Sequence, residues 1–190
     1  MRIIAGQFRG RNLLAPASDT TRPITDRVKQ SLFDIIAGDL PDAVVYDCFA
    51  GTGSMGLESL SRGSKLVFFF EADRSALGLL KQNITALQTE AQSRIIPGDL
   101  FRWFSHTIPA DTDKPTVIFL DPPYRFITQR GDDLRTLIRS MIQQHLMPGG
   151  YIVLRHDAHD QLGLPADTVE FDRREYGGMV LRFIRRSDQG

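Results

Sequence analysis

DCFAGTGSMGLE, residues 47–58, joins an apolar run, VVYD at 44–47, to a stretch of helix-forming residues. Gly51, Gly53 and Gly56 satisfy G-x-G-x-x-G, and Glu71 follows Gly51 by 20 residues, at the end of the next apolar run, LVFFFE at 66–71. Glycines permit a tight strand-to-helix turn and let a ligand approach backbone N–H groups, while an acid at the second strand suits a ribose. The loop therefore predicts an α/β fold with a parallel sheet.

The chain downstream of Val44 repeats that rhythm. RIIP (94–97), VIFLD (117–121) and YIVLR (151–155) are further strand candidates. Between them, Leu77, Leu80, Ile84 and Leu87 in 74–88, and Leu134, Leu137, Ile138, Met141 and Ile142 in 132–146, recur at helical spacing. TVEFDRREY (168–176) and MVLRFIRR (179–186) alternate in polarity around Gly177-Gly178, which predicts a closing antiparallel hairpin. The expected architecture is a Rossmann-like sheet of seven strands, the last inserted against the direction of the others. At 190 residues there is room for one main domain, assigned to 25–190, preceded by a small extension over 1–24.

In that extension, RIIAG-QFRGR-NLLAP predicts a β-hairpin around Gly6 and Gly10. A helix capped by Thr25 follows, with Val28, Leu32, Phe33, Ile35 and Ile36 on one face. The formal net charge of the chain is zero, yet residues 1–29 carry six cations (Arg2, Arg9, Arg11, Arg22, Arg27, Lys29) against Asp19 and Asp26. A basic segment on an acidic body points to a local anionic partner, although a solvated charged tail explains the charge equally well. One cysteine, Cys48, excludes an internal disulfide and suits a reducing compartment. With no apolar h-region at the N-terminus and no apolar run of about 20 residues, a cytoplasmic protein without membrane attachment is expected.

Asp47 bears on the ligand. At the mouth of a pyrophosphate loop a carboxylate would oppose two negative charges, whereas a cationic amino-acid tail welcomes it. S-adenosylmethionine has such a tail and no phosphate. Alternatively, Asp47 bonds the amides of its own loop. Asp99, in PGDLF at 97–101, is placed to accept from an adenine amine, with Leu100 or Phe101 beside the ring, but the same triplet suits a turn or helix start.

The fourth strand runs into Asp121, Pro122, Pro123 and Tyr124. An exocyclic amine on a nucleobase spreads its lone pair over the ring and is a poor nucleophile. If Asp121 and the carbonyl of Pro122 accept its two hydrogens, they stabilise the positive charge that grows on nitrogen during methyl transfer. Pro123 fixes the chain, and Tyr124 can stack on the base. A strand that ends in a proline turn, with Asp121 as a cap, is the competing reading.

These residues resemble class I S-adenosylmethionine-dependent methyltransferases of the amino-methylating branch, with [DNS]-P-P-[YFW]. The chain is most similar to the bacterial small-subunit ribosomal RNA guanine-N2-methyltransferases. MRIIAGQFRGRNL (1–13), RPITDRVKQSLFDII (22–36), the glycine loop through Glu58, E-x-D (71–73), DPPY (121–124) and Tyr176-Gly177 carry the resemblance. It implies methylation of one guanine amine in small-subunit ribosomal RNA or an assembling subunit; a monomer is expected. Asp47, Phe49, Gly51, Gly53, Glu71, Asp99 and Leu100 would bind cofactor, Asp121 to Tyr124 would be catalytic, and the basic extension would hold RNA. Gly178-Met179-Val180 depart from the pattern after Tyr176, which puts local base contacts in doubt.

The alternatives explain less. An NAD-dependent oxidoreductase leaves Asp47 and the proline tetrad without a role. A DNA adenine-N6 or protein glutamine methyltransferase more often has Asn at position 121 or added recognition domains, and an RNA-binding assembly factor needs no intact tetrad. Cys48 is expected to be a core residue and Trp103 packing rather than a base platform. His156, Asp157, His159 and Asp160 lack further ligands at metal spacing, and His106 and His145 are solitary.

Overall fold

The computed structural model describes residues 1–16, 24–105 and 115–187. The predicted alternation is present throughout: α1 (Asp26–Ile35), β1 (Val44–Cys48), α2 (Ser54–Ser61), β2 (Leu66–Glu71), α3 (Arg74–Leu87), β3 (Ser93–Pro97), α4 (Leu100–Trp103), β4 (Val117–Leu120), α5 (Tyr124–Gln129), α6 (Gly131–Ser140), β5 (Tyr151–Asp157), β6 (Thr168–Tyr176) and β7 (Met179–Arg186). The seven strands form a mixed sheet in the order β3-β2-β1-β4-β5-β7-β6. β7 enters antiparallel to β5, with Leu154 opposite Arg182, as the closing hairpin predicted. The chain divides into two compact units, Met1–Gly98 and Asp99–Gly190.

In the first unit, β1 is buried at every residue, as a central parallel strand requires. Thr25 caps α1 by accepting from Val28 N, and α1 buries Val28, Leu32 and Phe33; Ile35, expected on that face, is exposed. The extension is looser than a hairpin. Among its described residues an isolated antiparallel bridge, Arg2 to Asn12, closes it, with Gly6 and Gly10 in left-handed turns between.

What holds the extension is α2, whose eight residues are all buried. Two of its polar side chains, Glu58 and Ser61, face the N-terminal segment rather than solvent. Ser61 Oγ donates to Ala5 O and accepts from Phe8 N, and a Cβ on Gly6 would lie 1.8 Å from Ser61 O. Glu58, fully buried, accepts from Ile4 N at 2.8 Å, Ala5 N at 3.0 Å, Arg62 Nε at 2.9 Å and Lys29 Nζ at 3.1 Å. Asn83 of α3 completes the clamp, accepting from Leu14 N and donating to Leu14 O and Thr52 O.

In the second unit, α6 buries Leu134, Leu137 and Ile138 and continues into a π-helical turn, Met141–His145, that keeps Met141 and Ile142 inside. Trp103, half-buried, packs edge-on against the buried Phe104, the packing role expected of it. Among the described residues, no helix is long and apolar enough to cross a membrane.

Glu58→Ala would strand a buried Lys29 cation and two amide donors, so it is expected to destabilise the protein by about 3–5 kcal/mol in urea unfolding. A second expectation concerns His156, buried on β5. Its pKa lies below the ordinary 6.5 because burial disfavours the cation and Arg182 and Arg173 repel it, against the Asp157 carbonyl and Asp160. The unfolded chain therefore takes up a proton that the folded chain refuses as pH falls below 6.5. Stability should be full above that pH and decline below it by up to about 1.4 kcal/mol per pH unit from this group. Urea midpoints against pH for wild type and His156→Leu should diverge in that window.

Candidate active site

In the first unit, functional groups gather at the carboxyl ends of β1 and β2. The glycine loop departs from β1 through Phe49, a non-glycine residue at φ 61°, a conformation that costs energy and concentrates at functional turns. Gly53, at φ 88°, starts α2; a Cβ there would press Leu80 at 2.5 Å. Gly56 lets α2 lie on the sheet, since a Cβ would stand 2.3 Å from Phe69. These are the turn and close-approach roles the spacing predicts. The space beside Gly51 is open.

The structure gives Asp47 the second of the two roles considered for it. Its side chain is buried, and Oδ2 accepts from Gly56 N at 2.8 Å, bracing the loop against α2. Glu71 stands at the mouth. Oε2 accepts from Gly51 N at 2.7 Å, and Oε1 accepts from Ala72 N and Asp73 N. Three backbone donors thus hold this carboxylate at the strand end. Cys48 is fully buried, and burial followed by the charge of Asp47 pushes its thiol well up, so it is no nucleophile.

The loop fits S-adenosylmethionine on the chemistry of its donors. Asp47 is a carboxylate at the base of the loop, residues 47–58 carry no cation, Glu71 adds a second carboxylate at the mouth, and open space lies over Gly51. Such a set suits a cationic amino-acid tail and a ribose and opposes a pyrophosphate.

In the second unit, Asp99 caps α4, with Oδ1 accepting from Phe101 N at 3.0 Å, and Leu100 is buried. Phe101, one of the two expected ring-flanking residues, has the Arg130 guanidinium 3.7 Å from its ring centroid. β4 ends at Leu120, and α5 begins at Tyr124 with Pro123 as its N-cap, so the tetrad is a strand-to-helix corner rather than an extended loop. Pro122 is buried, while Asp121, Pro123 and Tyr124 are partly exposed.

A feature that sequence reading missed lies beside Asp121. Leu120 pairs with Leu154 in the parallel ladder, so Asp121 and Arg155 follow side by side. Arg155 Nε donates to Oδ1 at 2.6 Å and Nη2 reaches Oδ2 at 2.6 Å, a bidentate pair. Burial works to lower the Arg155 pKa, and the charge and hydrogen bond of Asp121, with Tyr124, more than reverse it. The signal was present in the matched endings VIFLD and YIVLR.

Of the basic residues assigned to RNA, Arg2, Arg9, Arg11 and Arg27 are exposed. Arg2 pairs with Asp26 at 2.7 Å, and Arg11 donates to Ala86 O. Lys29 must be removed from that group. It is buried, bonds Arg2 O and Ser54 Oγ, and neutralises Glu58, which leaves no face for an external phosphate. Arg22 lies outside the described residues, as does His106. Among the described residues no cluster of three or more His, Cys, Asp or Glu is arranged to hold a metal ion.

Comparison with known proteins agrees with this geometry. The Bacillus subtilis protein "Putative rRNA methyltransferase YlbH" is 35% identical over 180 residues, 95% of each chain. Ribosomal RNA small subunit methyltransferase D of Escherichia coli is 38% identical over 126 residues, 66% of this chain and 61% of that one. The solved structure "Putative methyltransferase yhhF from Escherichia coli" superposes with a TM-score of 0.82 at 29% identity, covering 100% of this chain and 99% of that one. The family described as conserved hypothetical protein 95 matches residues 1–185. With that span matched and the seven-stranded class I methyltransferase sheet in place, the chain belongs to the conserved hypothetical protein 95 family.

Proposed function

We propose that this protein transfers a methyl group from S-adenosylmethionine to the exocyclic N2 of a guanine in small-subunit ribosomal RNA. The observation that carries the reading is Asp121, a partly exposed carboxylate held rigidly at the end of β4, next to two prolines and at the start of a helix headed by Tyr124. The named relatives act on ribosomal RNA by their descriptions, which favours RNA over DNA or protein as the substrate.

When bound, S-adenosylmethionine supplies a methyl group on a sulfonium, whose C–S bond breaks as the new N–C bond forms. Glu71 would hold the ribose, and the glycine loop the amino-acid tail. Asp121 and the carbonyl of Pro122 would accept the two amine hydrogens, drawing electron density toward nitrogen and stabilising its growing positive charge. The proton shed by the methylated amine leaves to water along the Asp121 hydrogen bond. Tyr124 would stack on the base, and Arg9, Arg11 and Arg27 would meet phosphates.

Purified protein, small-subunit RNA or subunits, and methyl-labelled cofactor test this directly. Nuclease digestion and mass spectrometry should recover N2-methylguanosine; a label found in adenine or in protein would reject the base assignment. Asp121→Ala should keep cofactor affinity by calorimetry and lower kcat by about 10²–10³-fold. Loss of cofactor affinity with unchanged turnover chemistry would move Asp121 out of the reacting centre.

A further inference from the structure

We infer that Arg155 is a positioning residue for Asp121, fixing the plane of the carboxylate that receives the base amine. The inference rests on the methyltransferase reading above. Three observations support it. The pair joins adjacent parallel strands at matched register, so neither backbone can shift without the other. Both oxygens are engaged by one planar guanidinium, at 2.6 Å each, which fixes rotation about the last side-chain bond. The Arg155 side chain is 12% exposed and that of Asp121 is 25% exposed, so the cation sits on the inner side and the acid keeps an open side.

The hydrogen-bonding inventory makes this arrangement compatible with catalysis. An ionised carboxylate has about four lone-pair sites, and a bidentate guanidinium uses one on each oxygen. One site per oxygen stays open to an incoming N–H. A monodentate or absent partner would let the carboxylate turn, and the amine would then be met at a range of angles. In-line transfer tolerates this poorly, since a misplacement of about 1 Å can cost ~10²-fold in rate. Arg155 touches neither substrate nor cofactor in this scheme; it acts through Asp121.

The test is a set of variants in the RNA methylation assay, with cofactor affinity by calorimetry and urea unfolding as readouts independent of turnover. Arg155→Met should lower kcat by about 10²-fold while the cofactor Kd stays within about twofold. Arg155→Lys keeps the charge without the fork; it should fold, and should recover only part of kcat. On an Asp121→Asn background, Arg155→Met should cost at most about fivefold, because the oriented carboxylate is already gone. In urea the two substitutions should likewise be non-additive.

Full kcat in Arg155→Met or in Arg155→Lys overturns the inference, as does an Arg155→Met penalty undiminished by Asp121→Asn. Faster turnover without Arg155 also overturns it, because the pair would then be a resting lock that the base must break. If Arg155→Met fails to fold, the Arg155→Lys result decides alone. Wild-type protein that methylates no RNA base would instead be a failure of the function proposed above.

Discussion

Glu58 is the point on which the first half of the molecule turns. Each oxygen of its buried carboxylate receives two donors, Ala5 N and Arg62 on one, Ile4 N and Lys29 on the other. Four donors fill the roughly four lone-pair sites that an ionised carboxylate offers. Burying a charge is costly unless it is paired and fully hydrogen-bonded, and a hub of this kind is stable only when every partner is present. The N-terminal extension, the start of α1 and helix α2 are therefore specified together. Lys29 also reaches Ser54, and Asn83 reaches Thr52, so the same network fixes the glycine loop from behind.

The acids at the strand ends are each held by donors, but not by the same kind. Asp47, Glu71 and Asp99 accept from backbone amides, which are neutral and leave the negative charge undiminished. Asp121 is held by a bidentate side-chain cation. Asp47, beneath the loop that would take a cationic tail, works through charge, which falls off slowly and tolerates imperfect geometry. A carboxylate that meets a neutral amine works through a directed hydrogen bond, for which angle matters more than net charge.

Much of this was readable in the sequence because it is local. The seven strands, the cap at Thr25 and the two long amphipathic helices follow from periodicity and turn chemistry, and the β6 and β7 ranges match the alternating runs to the residue. Asp99 was legible as a helix start for the same reason. The extension was less so, because its backbone is held by side chains of α2 and α3 more than by its own pairing. Lys29 resembled its exposed neighbours in every sequence property; only the distant Glu58 makes it a buried residue. Asp47 was ambiguous in principle, since an amide and an ammonium are both donors, and only the geometry placed it on Gly56. Arg155 lies 34 residues from Asp121, and only the register between β4 and β5, which no local pattern sets, brings the two together.

A guanidinium beside an amine-accepting carboxylate has two opposed effects. It withdraws some of the charge that polarises the amine, and it holds the acceptor in one orientation. At contact distance the first effect is softened by solvent on the exposed side of Asp121, where the effective dielectric is high and an added charge alters the interaction modestly. The second is undiminished by solvent, because it is geometric. An acceptor that must hold one of two N–H bonds while Pro122 takes the other has little angular freedom to spare. Orientation therefore outweighs attenuation, and a cation with a rigid fork serves where a flexible ammonium would not.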